Sequence, residues 1–127
     1  MRFMFLIHSD SDGAPSPELM VAMHDLAQQE VAAGRMIADG GLFPPAMGAG
    51  LRVKSGKVVL IDGPYAETKE VIGGFAIFEL PDMAAAQESA RAFLDLHVRY
   101  LPGWEGLCEI RPIAGSQVES LRGVAPG

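Results

Sequence analysis

Asp62-Gly-Pro-Tyr-Ala-Glu-Thr-Lys-Glu-Val-Ile-Gly-Gly-Phe75 is a polar turn that runs into an apolar strand. Pro64 presets φ, Gly63 relieves backbone crowding, and the Asp62 carboxylate can accept from amides two residues on. Glu67, Thr68, Lys69 and Glu70 together are too polar for a core strand. The pair Gly73-Gly74 then leads into Gly74-Phe-Ala-Ile-Phe-Glu-Leu80, which is apolar on both faces and predicts a central, covered strand. A polar segment held between two apolar strands is where binding groups concentrate.

Upstream, Leu51-Arg-Val-Lys54 and Lys57-Val-Val-Leu-Ile61 flank Ser55-Gly56, a two-residue hairpin signal. Residues 43–50 read as a loop. Met36 to Leu42 is a strand whose Gly40-Gly41 pair permits a bulge or the close approach of another backbone. Before it, Ser16 as N-cap, Pro17 at the first helical position and Glu18 in the first turn open a helix over 17–33. Leu19, Met20, Met23, Leu26, Ala27 and Val31 repeat along it at helical spacing, and Gly34 stops it. The chain starts with a strand over Phe3 to His8, followed by loop chemistry.

Downstream, Asp82 is the N-cap of a second helix with the stripe Met83, Ala86, Ala90, Phe93, Leu94, His97 and Leu101, ended by Pro102-Gly103. Leu107 to Ile113 is the last strand, with Glu109 and Arg111 on one face and Cys108 and Ile110 on the other. The expected domain is 1–113, and 114–127 reads as a weakly ordered tail. The order is that of an α+β, ferredoxin-like βαββαβ plan with an inserted β-hairpin. Two helices cover only one face of such a sheet, so the other is expected to be buried by face-to-face pairing in a homodimer.

The run from Asp62 to Phe75 resembles the DGPF signature of the YCII-related (YciI-like) family, with Tyr65 where Phe is usual, and the resemblance covers roughly residues 1–113. It implies a dimeric α+β barrel. Some relatives in the wider family resemble muconolactone isomerase-type and chloromuconolactone dehalogenase enzymes, and neither activity needs a cofactor. DGPF-type members are associated with extracytoplasmic-function sigma factors. Two functional readings therefore stay open, with a purely structural dimer as a third. One is a pocket near the dimer interface for a small organic acid or lactone, with cofactor-free isomerase- or lyase-type acid–base catalysis. The other is a non-catalytic ligand-binding or regulatory module.

Composition narrows the partners. At 127 residues, 49% hydrophobic and 20% charged, the chain is one globular domain with a real core. Its net charge of −6 and lack of a basic cluster argue against nucleic acid. Cys108 is the only cysteine, which excludes an internal disulfide and fits a reducing compartment. The N-terminus lacks a signal peptide's pattern, and no apolar run approaches the roughly 20 residues of a bilayer span, so a cytoplasmic protein with no membrane partner is expected.

Several side chains are candidates for chemistry. His8, at a strand end beside Asp10 and Asp12, could exchange a proton at a pocket mouth or simply bond a carboxylate or water. His97 points inward from its stripe near Tyr100, Trp104 and Glu105, and is either a pocket group or a satisfied core histidine. In the signature run, Lys69 could anchor an anionic group, Glu67 or Glu70 act as base, and Tyr65 donate to an oxyanion; the same charges could equally be a solvated face. Asp62, Thr68, Gly74 and Phe75 are binding candidates in the same run, and Arg111 either offers a fork for a carboxylate or pairs between sheets or subunits. The resemblance also implies a His–Asp pair with its histidine on the first helix. That position falls nearer Met23 than His24, so His24 with Asp39 is a minor candidate. There is no Gly-rich phosphate motif, no Cys/His metal spacing and no G-x-S-x-G elbow, so neither a metal nor a cofactor is expected.

Overall fold

A computed structural model describes residues 1–10, 15–62 and 71–123. Along them run β1 (Arg2–Ser9), α1 (Pro17–Ala32), β2 (Met36–Gly41), β3 (Ala49–Lys54), β4 (Lys57–Asp62), β5 (Val71–Glu79), α2 (Met83–Tyr100), β6 (Gly106–Pro112) and α3 (Gln117–Leu121). Four strands form one sheet in the order β2-β5-β1-β6, with every neighbour antiparallel. This is the ferredoxin-like arrangement, α+β as expected. β3 and β4 pair only with each other, as a separate two-stranded sheet.

Period-two alternation sorts the sheet into two faces. Phe3 and Phe5 of β1 and Phe78 of β5 are buried on one face, packed with Leu80 and with Ala86 and Ala90 of α2. Ala86 and Ala90 lie one turn apart, and their small side chains let α2 sit close to the aromatic layer. The Phe5 and Phe78 rings stack with centroids 4.6 Å apart. Each aromatic so buried contributes about 1.5–3 kcal/mol through the area it removes from water. Leu19, fully buried, does the same for α1. The opposite face carries Met4 and Leu6 of β1 against Ile77 and Phe75 of β5, all half-buried.

The helix ends follow their sequence signals. Ser16 Oγ accepts from the Leu19 amide at 3.2 Å, and Asp82 Oδ1 from the Ala85 amide at 2.9 Å. The turn out of α1 is closed by Arg35, whose Nε donates to Glu30 Oε2 at 2.6 Å; that bond raises the guanidinium pKa.

Some boundaries differ from the sequence reading. β5 begins at Val71 rather than Gly74, because Val71 and Ile72 pair with Ser9 and His8. β3 begins at Ala49, inside the expected loop, and Pro45–Met47 forms one 3₁₀ turn there. β6 runs from Gly106 to Pro112, one residue earlier than expected. The register irregularities lie between Met36 and Ala38 and between Ile7 and His8, not at Gly40-Gly41. Gly40 serves close approach instead: a Cβ there would fall 2.8 Å from Phe75 Cε1. Within the stretch read as a tail, Ser116 caps α3, and Glu119 meets the Arg2 guanidinium on the side of the sheet away from α1 and α2.

Candidate functional site

Two cross-strand relationships place the most chemically capable group on the open face. β1 and β6 pair with Leu6 opposite Glu109 and His8 opposite Leu107, so His8 and Glu109 are diagonal neighbours on the same side. On the other flank, Ile7 pairs with Gly74 and His8 with Ile72, leaving Gly73 as the extra residue of a bulge. Bulges re-aim side chains at strand ends. His8 Nε2 lies 3.0 Å from Glu109 Oε1, and Arg111 Nε lies 3.8 Å from Glu109 Oε2. The imidazole is only 19% exposed, Glu109 is 37% exposed, and Arg111 reaches well into solvent. A base, a carboxylate and a guanidinium thus stand in line beside the apolar floor of Met4, Leu6, Phe75 and Ile77.

A carboxylate only accepts hydrogen bonds, so the proton between the pair belongs to His8 Nε2; in the neutral imidazole the lone pair is then on Nδ1. The arrangement can take up a proton at Nδ1 and hold the resulting imidazolium against the Glu109 charge. Arg111 can at the same time attract an anionic group.

His97 sits elsewhere. It is 7% exposed on the helix side, its Nδ1–H donates to the Phe93 carbonyl at 3.1 Å, and its ring lies between Phe93 and Trp104 at centroid distances of 4.7 and 4.5 Å. The two histidines are therefore on opposite faces of the sheet. His24 is exposed on α1 and Asp39 is exposed on β2, and no hydrogen bond or ion pair joins them among the described residues. Gly74 lies against β2, where a Cβ would come 3.2 Å from the Gly40 carbonyl oxygen, and Phe75 lies on the open face. Asp62 ends β4, paired with Ala49. Tyr65, Glu67, Thr68, Lys69 and Glu70 lie outside the described residues. Among the described residues there is no cluster of three metal-ligating side chains, and no helix is long and apolar enough to cross a membrane.

Glu109 is the residue that sequence reasoning did not select. Alternation in the last strand put it on the Arg111 face, but Asp10 and Asp12 are nearer to His8 in sequence. The signal that could have found it is topological: a ferredoxin-like order sets the last strand antiparallel beside the first.

The class of protein is a small α+β domain built on a ferredoxin-like sheet. The YCII-related domain matches residues 1–94, and the chain belongs to that family. It is also 32% identical over 95 residues to an uncharacterised protein of Rhizobium meliloti (strain 1021), covering 72% of this chain and 73% of that one.

Proposed function

We propose that this protein binds a small organic acid or lactone over the open face of the sheet and moves a proton on it through His8, without a cofactor. The observation that carries the reading is the 3.0 Å pair of His8 and Glu109 beside Arg111. Arg111 attracts the carboxylate or lactone oxygen, the apolar floor takes the carbon skeleton, and His8 Nδ1 removes a proton from the carbon next to the carbonyl. The signature residues Tyr65, Glu67, Lys69 and Glu70 are proposed to complete the site from the segment that leads into β5.

A second copy of the chain closes the pocket in this reading, pairing open face to open face as a dimeric α+β barrel. Met4, Leu6, Phe75 and Ile77 are neighbours on this face, each half-buried within one chain, and the second copy is proposed to cover what they still expose.

The test is solvent-deuterium exchange into a panel of small carboxylates and unsaturated lactones, followed by proton NMR with wild-type protein and His8→Gln. Exchange that depends on His8 supports the proposal. Binding with no exchange overturns the catalytic step and leaves a ligand-binding module, the role that the signature's resemblance to sigma factor-associated members implies. Absence of both binding and exchange at millimolar ligand rejects the site.

A further inference from the structure

His8 stands between two aliphatic side chains. Ile72 of β5 and Leu107 of β6 pair with it directly, one on each flank. Directly opposed residues of antiparallel strands share a face, with Cβ atoms about 4.5–5.5 Å apart. The bulge decides one of them. With Ile7 opposite Gly74, an unbroken ladder would set Gly73 against His8, and the extra residue brings Ile72 there instead. Ile72 is 38% exposed and Leu107 49%, whereas Met4, Leu6, Phe75 and Ile77 along the rest of the face are half-buried. The apolar surface therefore opens to solvent on both sides of the imidazole.

The rows along β1 put the parts of a ligand in order. Arg111 pairs with Met4, Glu109 with Leu6, and Ile72 and Leu107 with His8. An acid whose carboxylate meets Arg111 runs along the strand towards His8, and the group carried by its reacting carbon falls between Ile72 and Leu107. A hydroxyl or charged group there gives up water and meets aliphatic carbon in place of a hydrogen-bond partner. An alkyl group in the same place removes apolar area from water on both sides. We propose that Ile72 and Leu107 form a collar that sets specificity, selecting acids whose exchangeable carbon bears an alkyl branch. The inference rests on the proton-moving site proposed above and goes beyond it by stating which acids that site prefers.

The experiment uses the full chain and follows deuterium uptake by proton NMR in pyruvate, 2-oxopentanoate and 4-hydroxy-2-oxobutanoate. The last two differ only in a methyl against a hydroxyl at the end of the branch on the exchanging carbon. Wild type is expected to label 2-oxopentanoate with a kcat/KM roughly tenfold above that for its hydroxyl counterpart. Leu107→Ser and Ile72→Thr should each lower that ratio severalfold, while pyruvate, which has no branch, exchanges as in wild type. Binding of pentanoate and 4-hydroxybutanoate, read from the His8 ring-proton shifts, makes the same comparison without chemistry and needs no variant. Tighter binding of pentanoate with no exchange in any acid keeps the collar and overturns the catalytic reading. Exchange at equal kcat/KM for the two branched acids, or at a ratio that both variants leave unchanged, overturns the collar while the base stands. Absence of both binding and exchange overturns both. A Leu107→Ser protein whose mass by light scattering falls, with the preference intact, assigns the pair to a subunit interface and also overturns the collar.

Discussion

The Trp104 indole occupies the space where a side chain on Gly106 would begin: a Cβ there would fall 2.3 Å from Trp104 Cη2 and 2.6 Å from the His8 carbonyl oxygen. Trp104 also packs at a tilt against His97, so one ring braces the end of α2 against the strand that carries His8. Gly106→Ala must move a rigid ring or a backbone carbonyl. It is expected to destabilise the protein by about 1–3 kcal/mol, seen as a lower urea midpoint at unchanged slope. Trp104→Leu should recover only part of that loss, because the His8 carbonyl remains in the way.

Ser16 joins two helices through one hydroxyl. Its oxygen accepts from the Leu19 amide at 3.2 Å and its proton goes to the Tyr100 carbonyl at 3.0 Å, so the start of α1 is tied to the end of α2. Ser16→Ala removes both the cap and the tie, with an expected loss of about 2 kcal/mol. Ser116→Ala, which removes only the cap of α3, should cost about half as much in the same equilibrium unfolding measurement.

Glu109 sets which nitrogen of His8 carries the proton. If the proposed chemistry holds, His8→Gln is expected to slow deuterium exchange by a factor of about 10²–10⁴. Glu109→Gln should also slow it, because a neutral amide, although its oxygen can still accept from Nε2–H, lacks the charge that stabilises the imidazolium. Both variants should keep the wild-type melting temperature within a few degrees, since neither side chain belongs to the core. A Glu109→Gln protein that exchanges at the wild-type rate would remove Glu109 from the mechanism.

Burial pushes the Cys108 thiol up from its ordinary 9.0 to about 11. At neutral pH the nucleophilic thiolate is therefore scarce, and labelling of the native protein by iodoacetamide should be far slower than in urea. The same shift gives stability a pH dependence of known sign. The unfolded thiol loses its proton first, so the contribution from burying the neutral thiol is complete below about pH 9 and declines as pH rises towards about 11. Unfolding midpoints of wild type and Cys108→Ala should converge across that window.

The sequence reading succeeded where the physics is local. Ser16 with Pro17, and Asp82 ahead of Met83, are helix starts written within four residues, and both helices start there. Ser55-Gly56 specifies its own turn by the left-handed conformation both residues adopt. The first strand was legible from the apolar run Phe3 to His8, and it spans Arg2–Ser9. Val71 and Ile72 were passed over because the charges just before them dominate the segment, yet they complete the ladder to Ser9 and His8. The inward direction of His97 was legible from its stripe, and its partner, the Phe93 carbonyl one turn earlier, is equally local.

The order of the six strands and the first two helices was legible in residue spacing, because side-chain period and capping act over a few positions; α3, inside the stretch read as a tail, was not. The meeting of His8 with Glu109 was not, since those residues stand 101 positions apart. Which carboxylate reaches the imidazole depends on the register of β1 against β6, and packing of the whole core sets that register. The same closure separated His8 from His97, because a sheet has two faces and the chain had to fold before either histidine acquired its neighbours.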